Sequence, residues 1–154
     1  MKIKIPNDEF YMQQAIAQAE KAFAADEVPI GAVIVNNAGE IIGRGYNQVE
    51  KQQCQTAHAE ATAIKKACKK IDDWRLDECT MYVTLEPCIM CIGLIQLSRI
   101  FTLVFAARSP LFGYHLDNYM ESQLYKKGII TVREGVLEDQ AAELLKRFFK
   151  QKRK

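Results

Sequence analysis

Any fold of this chain must bring two segments about thirty residues apart to one point: His58-Ala59-Glu60 and Pro87-Cys88-Ile89-Met90-Cys91. An imidazole and two thiols form a donor set suited to zinc. Three protein ligands leave the fourth tetrahedral position open, as in catalytic sites where a bound water is acidified towards neutrality; a structural zinc normally closes with four. Glu60 adds a carboxylate beside the metal rather than on it. The pattern points to hydrolysis, with His58, Cys88 and Cys91 as candidate zinc ligands and Glu60 as the candidate catalytic proton carrier.

The spacing predicts a helix from His58 to about Lys70, with Thr56 as its N-cap and Ala61, Ile64 and Cys68 on one face. Pro87 suits the first position of a second helix running to about Ser98. Cys88 and Cys91, three apart, would share one side of it. His58 and Glu60 stand roughly 200° apart around an ideal helix, so they converge only if the metal lies beyond the helix end. Both helices would then aim their N-termini at the metal and favour thiolate over thiol.

The rest of the chain reads as one α/β domain of 154 residues. Asn7-Asp8-Glu9 predicts a cap and acidic first turn, then a helix to about Ala25 with Met12, Ala15, Ile16, Ala19 and Phe23 on one face. Ile30 to Val35 and Glu40 to Tyr46 predict a hairpin about Asn36-Asn37-Ala38-Gly39. Further strands are expected near 79–85, 100–106 and 129–133, a short helix near 117–125, and a basic terminal helix from 137 towards 154. Strands alternating with helices predict a mostly parallel sheet, apart from the opening hairpin, with helices on both faces. No apolar run approaches the roughly 18 residues of a membrane span, and the start lacks the apolar core of a secretory signal. Five cysteines, two at metal spacing, argue against a disulfide framework. The expectation is a cytoplasmic protein with no membrane partner.

Formal net charge is +2, but it is unevenly placed. The last nine residues hold Lys146, Arg147, Lys150, Lys152, Arg153 and Lys154 with no acid, leaving 15 basic against 19 acidic residues in the body. A basic extension with Phe148 and Phe149 inside it suits a polyanion with unpaired bases. A terminal helix with charged flanks and two core-facing phenylalanines gives the same pattern.

His-Ala-Glu with Pro-Cys-x-x-Cys resembles the signature of the cytidine deaminase-like zinc deaminases. Within that superfamily the chain is similar to the bacterial tRNA-specific adenosine deaminases, at Val28-Pro29-Ile30-Gly31-Ala32-Val33, Gly45-Tyr46-Asn47, Thr56-Ala57-His58-Ala59-Glu60 and Tyr82-Val83-Thr84-Leu85-Glu86-Pro87-Cys88. The likeness resumes at Ser98-Arg99-Ile100, Glu134-Gly135-Val136-Leu137 and the tail Phe148-Phe149-Lys150-Gln151-Lys152-Arg153. The resemblance implies a three-layer α/β/α fold with a mixed five-stranded sheet. It implies zinc-dependent conversion of the wobble adenosine of a tRNA anticodon loop to inosine, and a homodimer. It also implies that Asn47 hydrogen-bonds the target base, and it strengthens the case for RNA contact by the tail, with Phe149 and Arg153 as candidates.

The chain departs from the family after the fourth strand. Arg108-Ser109-Pro110-Leu111-Phe112-Gly113-Tyr114-His115 lacks the usual acidic residue and glycine-rich run of a loop that helps bind the anticodon loop. Cys54 and Gln55 replace the usual acidic residue and proline. Two other readings stand beside the main one. A deaminase of a free base or nucleoside (guanine, cytosine or adenosine) would share the zinc machinery. A closed site of Cys54, His58, Cys88 and Cys91 would make a non-catalytic RNA-binding module. Cys68 and Cys79 read as small core residues. His115 reads equally as a loop residue or an RNA contact.

Overall fold

In the computed structural model, which describes residues 7–116 and 131–153, the elements run α1 (Asp8–Ala24), β1 (Gly31–Val35), β2 (Ile41–Tyr46), α2 (Val49–Gln52), α3 (Ala59–Ile71), β3 (Thr80–Leu85), α4 (Ile89–Leu97), β4 (Thr102–Ala107), β5 (Thr131–Glu134) and α5 (Glu138–Lys152). The expected helix near 117–125 and the first residues of the expected last strand lie outside the described residues. Among those residues, no helix is long and apolar enough to cross a membrane.

The sheet order is β2-β1-β3-β4-β5. β1 runs antiparallel to both β2 and β3, while β3, β4 and β5 are mutually parallel. The expectation of a mostly parallel sheet is therefore corrected to an evenly mixed one. Alternation of strand and helix does mark parallel crossovers, since β2–α3–β3 and β3–α4–β4 each join strands of one direction. β1, however, inserts between β2 and β3 and adds a second antiparallel border. As a result the start of β1 and the ends of β2, β3 and β4 meet at one edge, with Gly31 opposite Tyr46 and Leu85 opposite Ala107. Crevices at strand ends are where open α/β sheets place their sites.

Period-two alternation divides the core into two layers. Ala32, Ile34, Met81, Val83, Leu103 and Phe105 face α3 and α4. Val33, Val35, Tyr82, Val104 and Ala106 face α1 and α5. Phe105 is fully buried, and its truncation to alanine would cost about 3–5 kcal/mol. The Asn7 side chain caps α1 by accepting from the Phe10 amide at 3.1 Å. Asp8, in the first turn, accepts from the Tyr82 hydroxyl at 2.7 Å and from Arg133 at 2.7 and 3.0 Å, joining α1 to β3 and β5.

The buried stripe of α3 is Ala59, Ala63, Ile64 and Ala67, with Ala61 and Cys68 only half-buried. The expected Ala61–Ile64–Cys68 face is thus rotated. The cause is β2, whose Gly43 and Gly45 present bare backbone to the helix. A Cβ on Gly45 would stand 2.8 Å from the Ala63 amide and 2.9 Å from Thr62 Cβ, and would overlap the Ala59 carbonyl. Alanines on glycines let α3 settle directly against the strand.

Candidate metal centre and active site

Both helices of this layer begin at the common sheet edge, and both begin on a ligand. His58 is the N-cap of α3, with extended backbone at φ −71°, ψ 154°. Cys88 is the N-cap of α4, at φ −76°, ψ 174°. Thr56 is therefore not the cap of α3, and Pro87 precedes the α4 cap instead of occupying the first helical position. An extended cap residue sends its side chain across the end of the helix, which removes the 200° conflict between His58 and Glu60. The partial positive ends of α3 and α4 both face the cluster.

His58 Nδ1 lies 3.4 Å from Cys91 Sγ and 3.7 Å from Cys88 Sγ. The three ligand atoms fall within 4.8 Å of one another. Tetrahedral bonds of about 2.0–2.1 Å to nitrogen and about 2.3 Å to sulfur hold such atoms about 3.5 Å apart, so the cluster fits zinc without rearrangement. The exposed Cys54 is not part of it and instead pairs with Thr56 Oγ1 at 3.0 Å. The four-ligand closed site is not formed.

The two thiols share one proton unequally. The hydrogen bond with Cys91 lowers the Cys88 pKa to about 4 against opposing burial, with His58 adding to the effect. The same Cys88 interaction, with burial, holds the Cys91 proton well above the usual thiol range. The Cys88 partner raises the His58 pKa despite its burial. Metal binding must displace these protons, so affinity rises with pH. The other ring nitrogen of His58, Nε2, faces Gln55 Oε1 at 3.2 Å. That acceptor favours the tautomer with Nδ1 free to ligate.

Glu60 is 4% exposed and hydrogen-bonds Cys91. Burial raises its pKa above the usual carboxylate range, against the lowering effects of a backbone amide and of His58. A raised carboxyl beside an acidic metal site is suited to taking and returning a proton.

Asn47 follows β2 and is buried, its amide donating to Val28 O at 3.3 Å and its Oδ1 accepting from the Val49 amide at 3.3 Å. Both bonds are long, and each group keeps capacity for another partner. Phe149 lies on α5 and Arg153 caps its C-terminus, in the opposite layer from the cluster. Phe148 is buried against Phe23, with ring centroids 5.9 Å apart, while Phe149 is 45% exposed. Of the two aromatic residues, only Phe149 is open to a partner. Lys152 pairs with Asp26 at 2.7 Å, docking the tail on the α1–β1 turn. In that turn Glu27 is buried and accepts from the Glu50 and Lys51 amides at 2.9 and 2.8 Å, capping α2.

Sequence reasoning missed Glu27 and Glu86. The signal for Glu86 was an acid at the end of an apolar strand, directly before Pro87. Its carboxylate is buried and receives the Ser109 amide, the His115 amide and His115 Nδ1.

A model of the cytidine and deoxycytidylate deaminase zinc-binding region matches residues 5–107. A tRNA-specific adenosine deaminase of Bacillus subtilis is 46% identical over 149 residues, covering 96% of this chain and 91% of the relative. A solved structure from work on A-to-I editing by tRNA:A34 deaminases at the wobble position of transfer RNA is 36% identical with a TM-score of 0.83, covering 88% of this chain and 99% of that one. A guanine deaminase from Nitrosomonas europaea is 31% identical with a TM-score of 0.81, covering 96% and 86%.

Proposed function

The chain belongs to the cytidine and deoxycytidylate deaminase zinc-binding family, and from that premise we propose that it hydrolyses the wobble adenosine of a tRNA anticodon loop to inosine. The observation that carries the chemistry is the buried Glu60 beside the His58–Cys88–Cys91 cluster. Near-complete alignment with a tRNA-specific adenosine deaminase supports the substrate.

His58, Cys88 and Cys91 would hold zinc, which would supply Lewis-acid activation of the attacking water. Glu60 takes one proton from the attacking water and delivers it to the purine ring nitrogen, then carries the second, from the new hydroxyl, to the exocyclic amine, which leaves as ammonia. The new carbon–oxygen bond forms where the carbon–nitrogen bond to the exocyclic amine breaks. The buried first turn of α3 keeps Glu60 protonatable between the two transfers. Asn47, at the end of β2, orients the flipped base. An unpaired loop base costs less to extract than one in a duplex, which suits an anticodon loop.

The tail supports an RNA partner. Its docking on Asp26 places it on the turn whose next residues hold α2 and Asn47, and exposed Phe149 with Arg153 offers a stacking face with positive charge. A homodimer is supported by α4, a helix without a charged residue whose Ile89, Met90 and Leu97 remain exposed. A Cβ added to Gly93 on the same helix would meet nothing within 4 Å. An apolar helix left in water is explained by a second copy covering it. A tRNA substrate supports a cytoplasmic location.

The second reading, deamination of free guanine or a related base, is favoured by the similar TM-score of the Nitrosomonas europaea enzyme, 0.81 against 0.83. Incubating the zinc-loaded protein with an anticodon stem-loop bearing wobble adenosine, then analysing nucleosides by mass spectrometry, separates the two. Inosine that is absent with Glu60→Gln supports the main reading. No inosine from fully zinc-loaded protein overturns it in favour of free bases.

A further inference from the structure

Among the described residues three carboxylates are buried, Glu27, Glu60 and Glu86; Glu27 caps α2 and Glu60 lies beside the metal cluster, which leaves Glu86 without a role. Glu86 opens the β3–α4 junction two residues before Cys88, and its side chain is 1% exposed. A carboxylate removed from water in this way needs donors on nearly every lone pair. Here they come from a single loop. The Ser109 amide reaches Oε1 at 3.1 Å, the His115 amide reaches Oε2 at 2.9 Å, and His115 Nδ1 lies 2.6 and 2.7 Å from the two oxygens. The Tyr114 amide adds a bond to the Pro87 carbonyl at 2.9 Å, one residue from a metal ligand.

Within the loop, the Gly113 amide returns to Ser109 O at 3.1 Å and the Phe112 amide to Ser109 Oγ at 3.3 Å. Residue 113 has to be glycine, because a Cβ there would overlap the Glu86 carboxylate and stand 2.7 Å from Ser109 O. Tyr114 packs edge-on against core Phe105, with centroids 6.4 Å apart. The loop is thus wrapped around one carboxylate, and it turns Leu111 and Phe112 outward at 76% and 73% exposure.

We propose that Glu86 and His115 are positioning residues whose pairing sets the conformation in which loop 109–115 meets the substrate, governing its binding rather than the chemical step. The role of the loop in binding rests on the RNA-deaminase reading above. His115 acts through the loop backbone, since its own Nδ1 is committed to Glu86. The pairing brings together two residues 29 apart in sequence, and ties the shape of the loop to the same short segment that launches α4 and its two thiols.

Steady-state inosine formation on the anticodon stem-loop tests this with zinc-loaded protein. His115→Ala is expected to raise KM by about tenfold or more, the loss of one hydrogen bond to a charged acceptor, with kcat within about twofold of the parent and zinc content unchanged. His115→Asn, whose amide nitrogen can reach the position of Nδ1, is expected to restore KM. An unchanged KM, a fall in kcat at constant KM, loss of zinc, or failure of asparagine to rescue would each overturn the proposal.

Chymotrypsin cleavage at Leu111 and Phe112 supplies a readout independent of substrate. His115→Ala should speed it by about tenfold, as the open loop becomes more populated, and His115→Asn should slow it again. If the wild-type protein makes no inosine but cleavage follows this pattern, the substrate reading fails while the latch stands. An unchanged cleavage rate refutes the latch itself.

Discussion

Gly45→Ala tests whether the close seat of α3 on β2 is what places His58. The added methyl would sit 2.8 Å from the Ala63 amide and 2.9 Å from Thr62 Cβ, against about 3.4 Å for ordinary contact. Relieving the overlap with the Ala59 carbonyl as well requires the first turns of α3 to move by about 1 Å, and such overpacking costs about 1–3 kcal/mol. For a domain of this size that lowers Tm by about 2–4 °C per kcal/mol. The larger effect falls on the metal. His58 caps the displaced turn, and metal bonds accept only about 0.2 Å of change, so zinc Kd is expected to rise by about 10–100-fold. Competition against a chromogenic chelator measures that Kd, and calorimetry of the metal-free and metal-loaded forms measures the packing cost alone. The loss should be greater in the loaded form. A variant with zinc Kd within about twofold of the parent would show that His58 is held by something other than this contact.

Other outcomes follow from the same geometry. Asn47→Ala should raise KM for the stem-loop while zinc content stays full; unchanged kinetics would return Asn47 to a purely local role in its turn. Cys88→Ser should lose most bound zinc and melt at the temperature of chelator-treated wild type, because ligand loss and stability loss are one event; a variant that keeps zinc would remove Cys88 from the ligand set. Leu97→Lys should shift the protein from dimer to monomer in analytical ultracentrifugation, and a dimer of unaltered mass would show that another face is used. For Asp8, burial raises the pKa, but hydrogen bonds from Arg133 and Tyr82 outweigh it and the net shift is downward. The ionised pair therefore stabilises the fold above the unfolded value of about 3.9, and that contribution is lost as pH falls through the folded pKa. Asp8→Asn should melt below wild type at pH 7, with the gap closing in acid; a gap independent of pH would refute the ionic contribution.

The candidate zinc cluster was legible because its spacing is itself the chemistry: two thiols three apart and an imidazole near a carboxylate leave few other uses. Helix and strand positions followed from periodicity, which is local. The antiparallel border between β1 and β3 was not local, and nothing in residues 31–35 distinguishes pairing with one neighbour from pairing with two. The rotated face of α3 depended on Gly43 and Gly45 across the gap, so the helix pattern alone pointed to Ala61 in place of Ala63. Neighbouring aromatics point about 100° apart on a helix, so either Phe148 or Phe149 satisfied the same pattern until the partner Phe23 decided it. Glu86 and His115 carried no periodic signal, and their meeting required the loop after β4 to fold back on the end of β3.

The turn between α1 and β1 has a mechanical consequence. Three consecutive residues each hold a different part of the molecule: Asp26 holds Lys152 of the tail, Glu27 holds α2, and Val28 holds the side chain of Asn47. Asp26 takes the left-handed backbone conformation, φ 62°, that turns the chain at this point. The three grips therefore share one register. A single inserted residue would move tail, helix and Asn47 out of step together, so length in this turn is under tighter constraint than side-chain identity at most exposed positions around it.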